Sequence, residues 1–574
     1  MKGFYMKYRK NVKTLVLLLI FIVYLCGGVS QAAPPPLPPL GNNPRNQGDE
    51  ELQLQKSRQQ AQERQERQNQ RDVLLQTQKS QKDESLPQEA PAFLVKQVIL
   101  TGEDAVRFGW LQKQASHYNQ RKIGQKGLEL IVKRLGNLLI DRGYITTRLI
   151  IPDQDISKGI LNIQIVGGYI GDIRFAEENS RADWQSAFPV RPGDLLNLRD
   201  LEQGLEQLKR VQSQEADFQL VPGEKPGFSD IVIKLKRSRP DKLILSLDDS
   251  GNKSTGKWQS SYIYSLDNLI GKNDLFRFTY NKDAEGAESQ RGTYGKSIYW
   301  SLPDGYWTYS FSYRSNNYKQ TIPYADIQFV YSGDSETWEE KIERLIQRTQ
   351  TSKTSISLTL GKNNSHNYID DNEITIQRKA IASWELAVSH RKYVQKDIWD
   401  YQFSYRKGVP WFGAQEDSAQ EETSRYRLWT VDINWQKPTS FLGRASRYTM
   451  ALHGQYTNDR LYASEGLSIG NRYTVRGFDG EQTLIGEKGF YLRNELAIPL
   501  NAQGHEIYCG LDYGYVTGPS AVYLTERKLL GGAIGFRGNF GTANLDIFVG
   551  CPLIKPTNMK SDSPTFGFQY ILQL

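Results

Sequence analysis

Over the last 335 residues of the chain, apolar and polar side chains alternate with a period of two in one short segment after another. In FRFTY, Phe276, Phe278 and Tyr280 alternate with Arg277 and Thr279. In YSFSYR, Tyr309, Phe311 and Tyr313 alternate with Ser310, Ser312 and Arg314, and in YQFSYR, Tyr401, Phe403 and Tyr405 alternate with Gln402, Ser404 and Arg406. Successive strand side chains point to opposite faces, so each segment predicts a strand with one greasy and one polar side. Upstream the period becomes that of a helix. Leu128, Ile131, Val132, Leu135, Leu138 and Leu139 share one helical face, among strands expected at FLVKQVIL, YITTRLII and GILNIQIV. The order then recurs as YIGDIRF, a helix carrying Leu201, Leu205, Leu208 and Val211, and strands at DFQLV and DIVIKLK. The pattern therefore predicts two small α+β domains, 91–167 and 168–238, ahead of a mainly β region spanning 240–574.

Before these domains the pattern is polar. Residues 51–84 are rich in Gln, Arg, Glu and Lys with few apolar positions, which suits either a solvated tether or a helix polar on all sides inside a water-filled pore. Residues 33–50, with PPPLPP and GNNPRNQG, read as a spacer. In residues 1–32, Lys2, Lys7, Arg9, Lys10 and Lys13 precede an apolar run from Leu15 to Leu25, and small residues at Ser30 and Ala32 offer a cleavage site. This is the layout of a signal peptide, so the chain is expected to be exported.

Export changes how composition is read. The five cations of the leader bring the formal charge from +8 to +3, and no basic run with interleaved aromatics remains, so nucleic acid is not an expected partner. Alternation alone fits a soluble sandwich as well as a membrane barrel. Export, 11% aromatic residues and a β region far too long for one sandwich favour a barrel; roughly ten residues per crossing plus turns gives on the order of sixteen strands. The last segment, TFGFQYILQL, places Phe566, Phe568, Tyr570, Leu572 and Leu574 on one face, as a closing strand would.

Candidate chemistry is sparse. GLSIG, around Ser468, matches the nucleophile-elbow pattern, but the sequence after it is no amphipathic helix, so the segment is not read as catalytic. Asp370 and Asp371 sit in a turn-like setting. His117, His366, His390, His453 and His505 form no ligand-spaced pair, and no metal or cofactor is expected. Cys509 and Cys551 are expected as free, lipid-facing thiols on strands separated by one other strand, too far apart to join. In EIYCGLDYGYV, Ile507, Cys509, Leu511, Tyr513 and Tyr515 face outward, so Asp512 faces the lumen.

Several motifs resemble the TpsB transporters of two-partner secretion. NLRDLEQGLEQLKRVQS (197–213) is similar to the helix of the family's second domain, and DDSGNKSTG with LDNLIGKND is similar to its first barrel strands and turns. VRGF (Val475, Arg476, Gly477, Phe478) resembles the signature of a long loop that folds back into the pore, and GLDYG (510–514) a later strand motif with an acidic residue. The chain departs from the usual barrel ending in having Leu574 in place of Phe. The resemblance implies a 16-stranded transmembrane β-barrel in the outer membrane, two POTRA domains in the periplasm, and an N-terminal plug helix in the lumen. It implies an ion pair between Arg476 and Asp512, to which strand parity also points. The implied partners are one large secreted TpsA-type protein (a haemolysin, adhesin or toxin), outer-membrane lipid, and the barrel-assembly machinery during insertion. With no nucleotide site and no ATP in that membrane, the folding of the cargo is the expected energy source, and POTRA sheet edges the expected capture site. A barrel-assembly factor of the same superfamily and a porin without protein cargo are the alternative readings.

Overall fold

The computed structural model describes residues 44–68, 72–75, 85–177, 182–285, 291–324, 327–417 and 422–574. The signal-peptide reading lies outside them. A helix covers Pro44–Gln68, beginning within the stretch expected to be spacer and ending well before residue 84; Asp72 to Leu75 belong to no helix or strand. The long run of Gln, Glu, Lys and Arg with no Gly or Pro after Gly48 accounts for its length.

Each α+β domain packs its helices on a small mixed sheet. In the first, Gln97–Thr101, Ile160–Val166 and Arg148–Ile150 form the sheet in that order, and the helix Gln125–Asp141 buries Ile131, Leu135 and Leu139 against it. FLVKQVIL is two strands: Phe93–Val95 pairs with Arg121–Ile123, and only the second part joins the main sheet. A short helix, Gly109–Ala115, has no counterpart in the periodicity reading. In the second domain the order is Tyr169–Phe175, Phe228–Arg237, Gln214–Pro222, and the helix Leu198–Lys209, capped by the Asn197 side chain, buries Leu201, Leu205 and Leu208.

From Asp241 onward, sixteen antiparallel strands close into a barrel, from the first, Asp241–Asp248, to the sixteenth, Thr565–Gln573. The greasy faces read from the sequence lie outside: Tyr309, Phe311, Tyr401 and Phe403 are exposed, and Trp399 stacks on Trp435 and Tyr401 in an outer aromatic girdle. The polar partners lie inside, where Arg314 meets Glu339 and Arg406 meets Glu385. Strand length varies around the wall. The fifth to seventh strands, Trp307–Tyr324, Ile327–Arg348 and Ser352–Ile369, have 18, 22 and 18 residues, whereas the first has 8 and the last 9. At closure, five residues of the sixteenth strand, Gln569 to Gln573, pair with Asp248 to Ile244 of the first. Beyond them Asp249 accepts from the Phe568 amide at 2.9 Å, and Arg472 bridges the same point, 2.8 Å from Asp249 and 3.3 Å from the Phe568 carbonyl.

Cys509 lies exposed and free on the thirteenth strand, Glu506–Thr517, as expected. Cys551 lies on the fifteenth strand, Ala543–Ile554, in register with Gly532 and on the same face of the wall as the exposed Ile547.

Candidate functional site

Residues 457–487 join the eleventh strand, Arg444–Tyr456, to the twelfth, Lys488–Pro499. This segment has its own local order. Leu467–Ile469 pairs antiparallel with Leu484–Gly486, and at the turn Asn471 Oδ1 accepts from the amides of Tyr473 (2.9 Å) and Thr474 (3.1 Å). Leu467, Ile469, Val475, Phe478 and Leu484 then pack on Tyr491, Val516 and Leu529 of the inner wall, so the segment folds back as a small apolar body inside the barrel. Ser468 is buried within this hairpin, away from any strand-to-helix turn. Asp370 and Asp371 form a tight turn with positive φ (47° and 62°) beside Ile369.

All four VRGF residues are buried. The Arg476 guanidinium grips Asp512 in bidentate fashion, Nε to Oδ2 at 2.7 Å and Nη2 to Oδ1 at 2.9 Å, and its own amide donates to the same carboxylate at 3.0 Å. A second carboxylate, Glu495, accepts from Nη1 at 2.6 Å, and the Asn494 carbonyl accepts from Nη2 at 3.0 Å. Glu495 continues to Arg537 (3.3 Å), which also holds Glu506 and Asp546. Arg493 stands 3.8 Å from Asp512. The structure brings Arg476 and Asp512 together and adds Glu495, which parity counting missed although LRNEL shows Arg493 and Glu495 alternating inward with Tyr491.

The tip lies on a track of glycines. Gly477 has φ +96°, and a β-carbon there would stand 2.4 Å from the Cys551 carbonyl oxygen. Across the wall, a β-carbon on Gly510 would meet the Arg476 guanidinium at 2.4 Å, one on Gly514 Val475 at 2.8 Å, and one on Gly531 the Arg476 carbonyl oxygen at 1.8 Å. Backbone contact this close requires glycine on both sides.

The helix Pro44–Gln68 completes the arrangement. At its middle, Gln53 donates to the carbonyls of Ala463 and Gly466, Lys56 to Ser464, and Arg58 to Tyr473 and Asp248. Further along, Arg64 donates to the Tyr491 hydroxyl at 2.8 Å, Glu66 pairs with Arg277 at 2.5 Å, and Arg67 donates to Gln402. The helix is polar on all sides because wall, loop and lumen all offer polar partners. Asp72, just beyond it, receives Lys353, Arg391 and Tyr393 at the base of the wall, and the Val73 and Leu75 amides donate to Glu206 and Glu202 of the second domain's helix. That helix also seats on the barrel's turns: Gln203 and Gln207 both donate to the Gly305 carbonyl at 3.1 Å. None of these contacts between elements was visible in the sequence, since each joins residues more than ninety positions apart.

A sixteen-stranded barrel with a helix in its lumen, an inward loop and two small α+β domains is compatible with more than one role, and comparison with known proteins decides among them. The family model described as "Haemolysin secretion/activation protein ShlB/FhaC/HecB" matches residues 227–538, after POTRA domain models at 93–168 and 169–222. The chain belongs to the ShlB/FhaC/HecB family. It is 36% identical over 510 residues to the outer membrane transporter CdiB-2 of Burkholderia pseudomallei (strain 1026b), covering 85% of this chain and 87% of that protein. It is 31% identical to the outer membrane transporter CdiB of Dickeya dadantii (strain 3937), covering 76% and 78%. Among solved structures, CdiB from Escherichia coli superposes with a TM-score of 0.83 at 25% identity, covering 94% of this chain and 100% of that one. CdiB from Acinetobacter baumannii gives 0.83 at 28%, covering 92% and 99%. This family member is thus a TpsB outer-membrane transporter with its POTRA domains in the periplasm, and its relatives are transporters, not enzymes.

Proposed function

We propose that this transporter captures one large secreted protein in extended form through its POTRA domains and passes it through the barrel to the cell surface without ATP. The observation that carries this reading is the junction at Asp72 to Leu75, where the end of the lumen plug is held jointly by the barrel base and by Glu202 and Glu206 of the second POTRA domain. A domain that takes hold of cargo is thereby in contact with the stopper. Capture by strand addition has limited places to occur. In the first POTRA domain the Gln97–Thr101 edge is closed, because Asn119 and Gln112 side chains accept from the Val98 (2.8 Å) and Leu100 (2.7 Å) amides. In the second domain the Tyr169–Phe175 edge is covered in part, because the Ile170 amide donates to the Asp194 carbonyl and the Ile170 carbonyl accepts from Gly193, so the Arg148–Ile150 edge and the outer Gln214–Pro222 strand are the sites assigned to the cargo backbone. Folding outside the cell then makes passage effectively one-way.

Mass spectrometry of culture supernatant and cell surface, wild type against a deletion, tests the function. Loss of a single large exported protein with other barrels intact supports it; depletion of many outer-membrane barrels would point to an assembly factor. The plug is tested separately in planar bilayers. Asp72→Asn weakens the hold of Lys353, Arg391 and Tyr393 together, and the fraction of time spent at high conductance is expected to rise about tenfold, the equivalent of about 1.4 kcal/mol. Unchanged conductance would show that the junction does not retain the plug.

A further inference from the structure

Between the two POTRA domains and the periplasmic rim of the barrel lies a cavity of about 440 Å³ whose wall includes Arg142 of the first domain and Arg199 of the second, with Arg344 and Arg348 of the barrel, against one carboxylate, Asp200. Arg348 is neutralised by Glu202 and Glu206, and Asp200 accepts from Tyr306. The other guanidiniums are less satisfied. Arg199 is 5% exposed; its Nη1 meets Glu202, while Nε and Nη2 have no hydrogen-bond partner. A buried guanidinium with two open donors is costly unless an anion supplies the acceptors. Arg142 lies 3.8 Å over the Trp110 ring and Arg344 4.9 Å over Trp307, contacts that fix both groups without an opposite charge.

The surroundings indicate where the anion comes from. Arg344 pairs in register with Trp307, and Ile342 and Ile346, two positions to either side of it on the same strand, are exposed on the lipid-facing wall. Trp and Arg at the end of a membrane strand mark headgroup depth. We propose that this cavity binds the phosphate of a glycerophospholipid of the periplasmic leaflet, with Arg199, Arg344 and Arg142 around the phosphate and the acyl chains against Ile342 and Ile346. Phosphate suits it because planar guanidiniums present paired donors to its oxygens. A lipid held there would tie the POTRA domain to the membrane beside the barrel.

The test is native mass spectrometry of the delipidated full-length protein titrated with phosphatidylglycerol or with inorganic phosphate. One phosphatidylglycerol is expected to bind wild type and Arg427→Gln, a change at the opposite end of the barrel, with equal affinity. Arg199→Gln and Arg344→Gln should each weaken it about tenfold, the loss of one charged hydrogen bond. Heat-modifiable gel migration checks folding; should Arg199→Gln fail to fold, Arg344→Gln on the outer rim carries the comparison. Equal lipid binding by all four proteins would overturn the proposal. Binding of inorganic phosphate without binding of the lipid would overturn the lipid assignment in favour of a soluble phosphate site.

Discussion

Arg476→Ala is expected to reduce secretion of the partner protein at least tenfold while leaving a normal amount of barrel in the outer membrane. The change removes the cation from the buried Asp512 and the half-buried Glu495, and with it the bidentate pair that seats the loop. One-sided removal of this kind costs about 3–5 kcal/mol. Arg493, 3.8 Å from Asp512, and Arg537, 3.3 Å from Glu495, remain to offset part of the exposed charge, which places the loss at the lower end. The loop should then become open to protease on intact cells. Arg476→Lys keeps a positive charge but offers no planar fork, so it should fall between wild type and alanine. Full secretion by Arg476→Ala with normal barrel levels would take the loop out of the mechanism.

Gly531→Ala should produce a similar defect with every charge in place. The added methyl would stand 1.8 Å from the Arg476 carbonyl oxygen and 3.3 Å from the Phe478 ring, so the tip must lift off the wall. Overpacking in a well-filled site costs about 1–3 kcal/mol. Because both changes undock the same tip, the double variant is expected to secrete no less than Arg476→Ala alone, a non-additivity that two unrelated defects would not show. A double variant markedly worse than either single change would mean that Gly531 acts elsewhere, for instance on barrel assembly.

Much of this architecture could be read from the chain because strand and helix periods are local. The outward aromatic faces, the inward Asp512 and the leucine faces of both POTRA helices each follow from counting along ten or so residues. Arg476 was found differently, by the resemblance of its motif; parity supplied only the position of its partner. Glu495 and the glycine track were equally countable, but inward glycines carry no charge or bulk to signal that another chain segment rests on them. The helix Pro44–Gln68 shows the opposite limit: its composition predicts helix without showing where the helix stops, since polar residues continue unchanged past Gln68. The clasp of Arg348 on Glu202, Glu206 and Val73 depends on the packing of three bodies and has no local trace.

The uneven ladder around the wall has a mechanical meaning. Hoop tension in a barrel is the same across every strand pair, so strain concentrates where the fewest hydrogen bonds share it. Eighteen residue pairs join the fifth and sixth strands, whereas five join the sixteenth to the first, with Leu574 and Leu243 exchanging two further backbone hydrogen bonds beyond them. A wide object pressing outward from the lumen would therefore stretch the closure first and leave the long-stranded side rigid. Arg472 spans that weak point from the same loop that Arg476 anchors, bridging Asp249 and the Phe568 carbonyl. Lifting the loop thus removes a strut from the wall at its most compliant place, so that clearing the bore and softening its circumference become one movement.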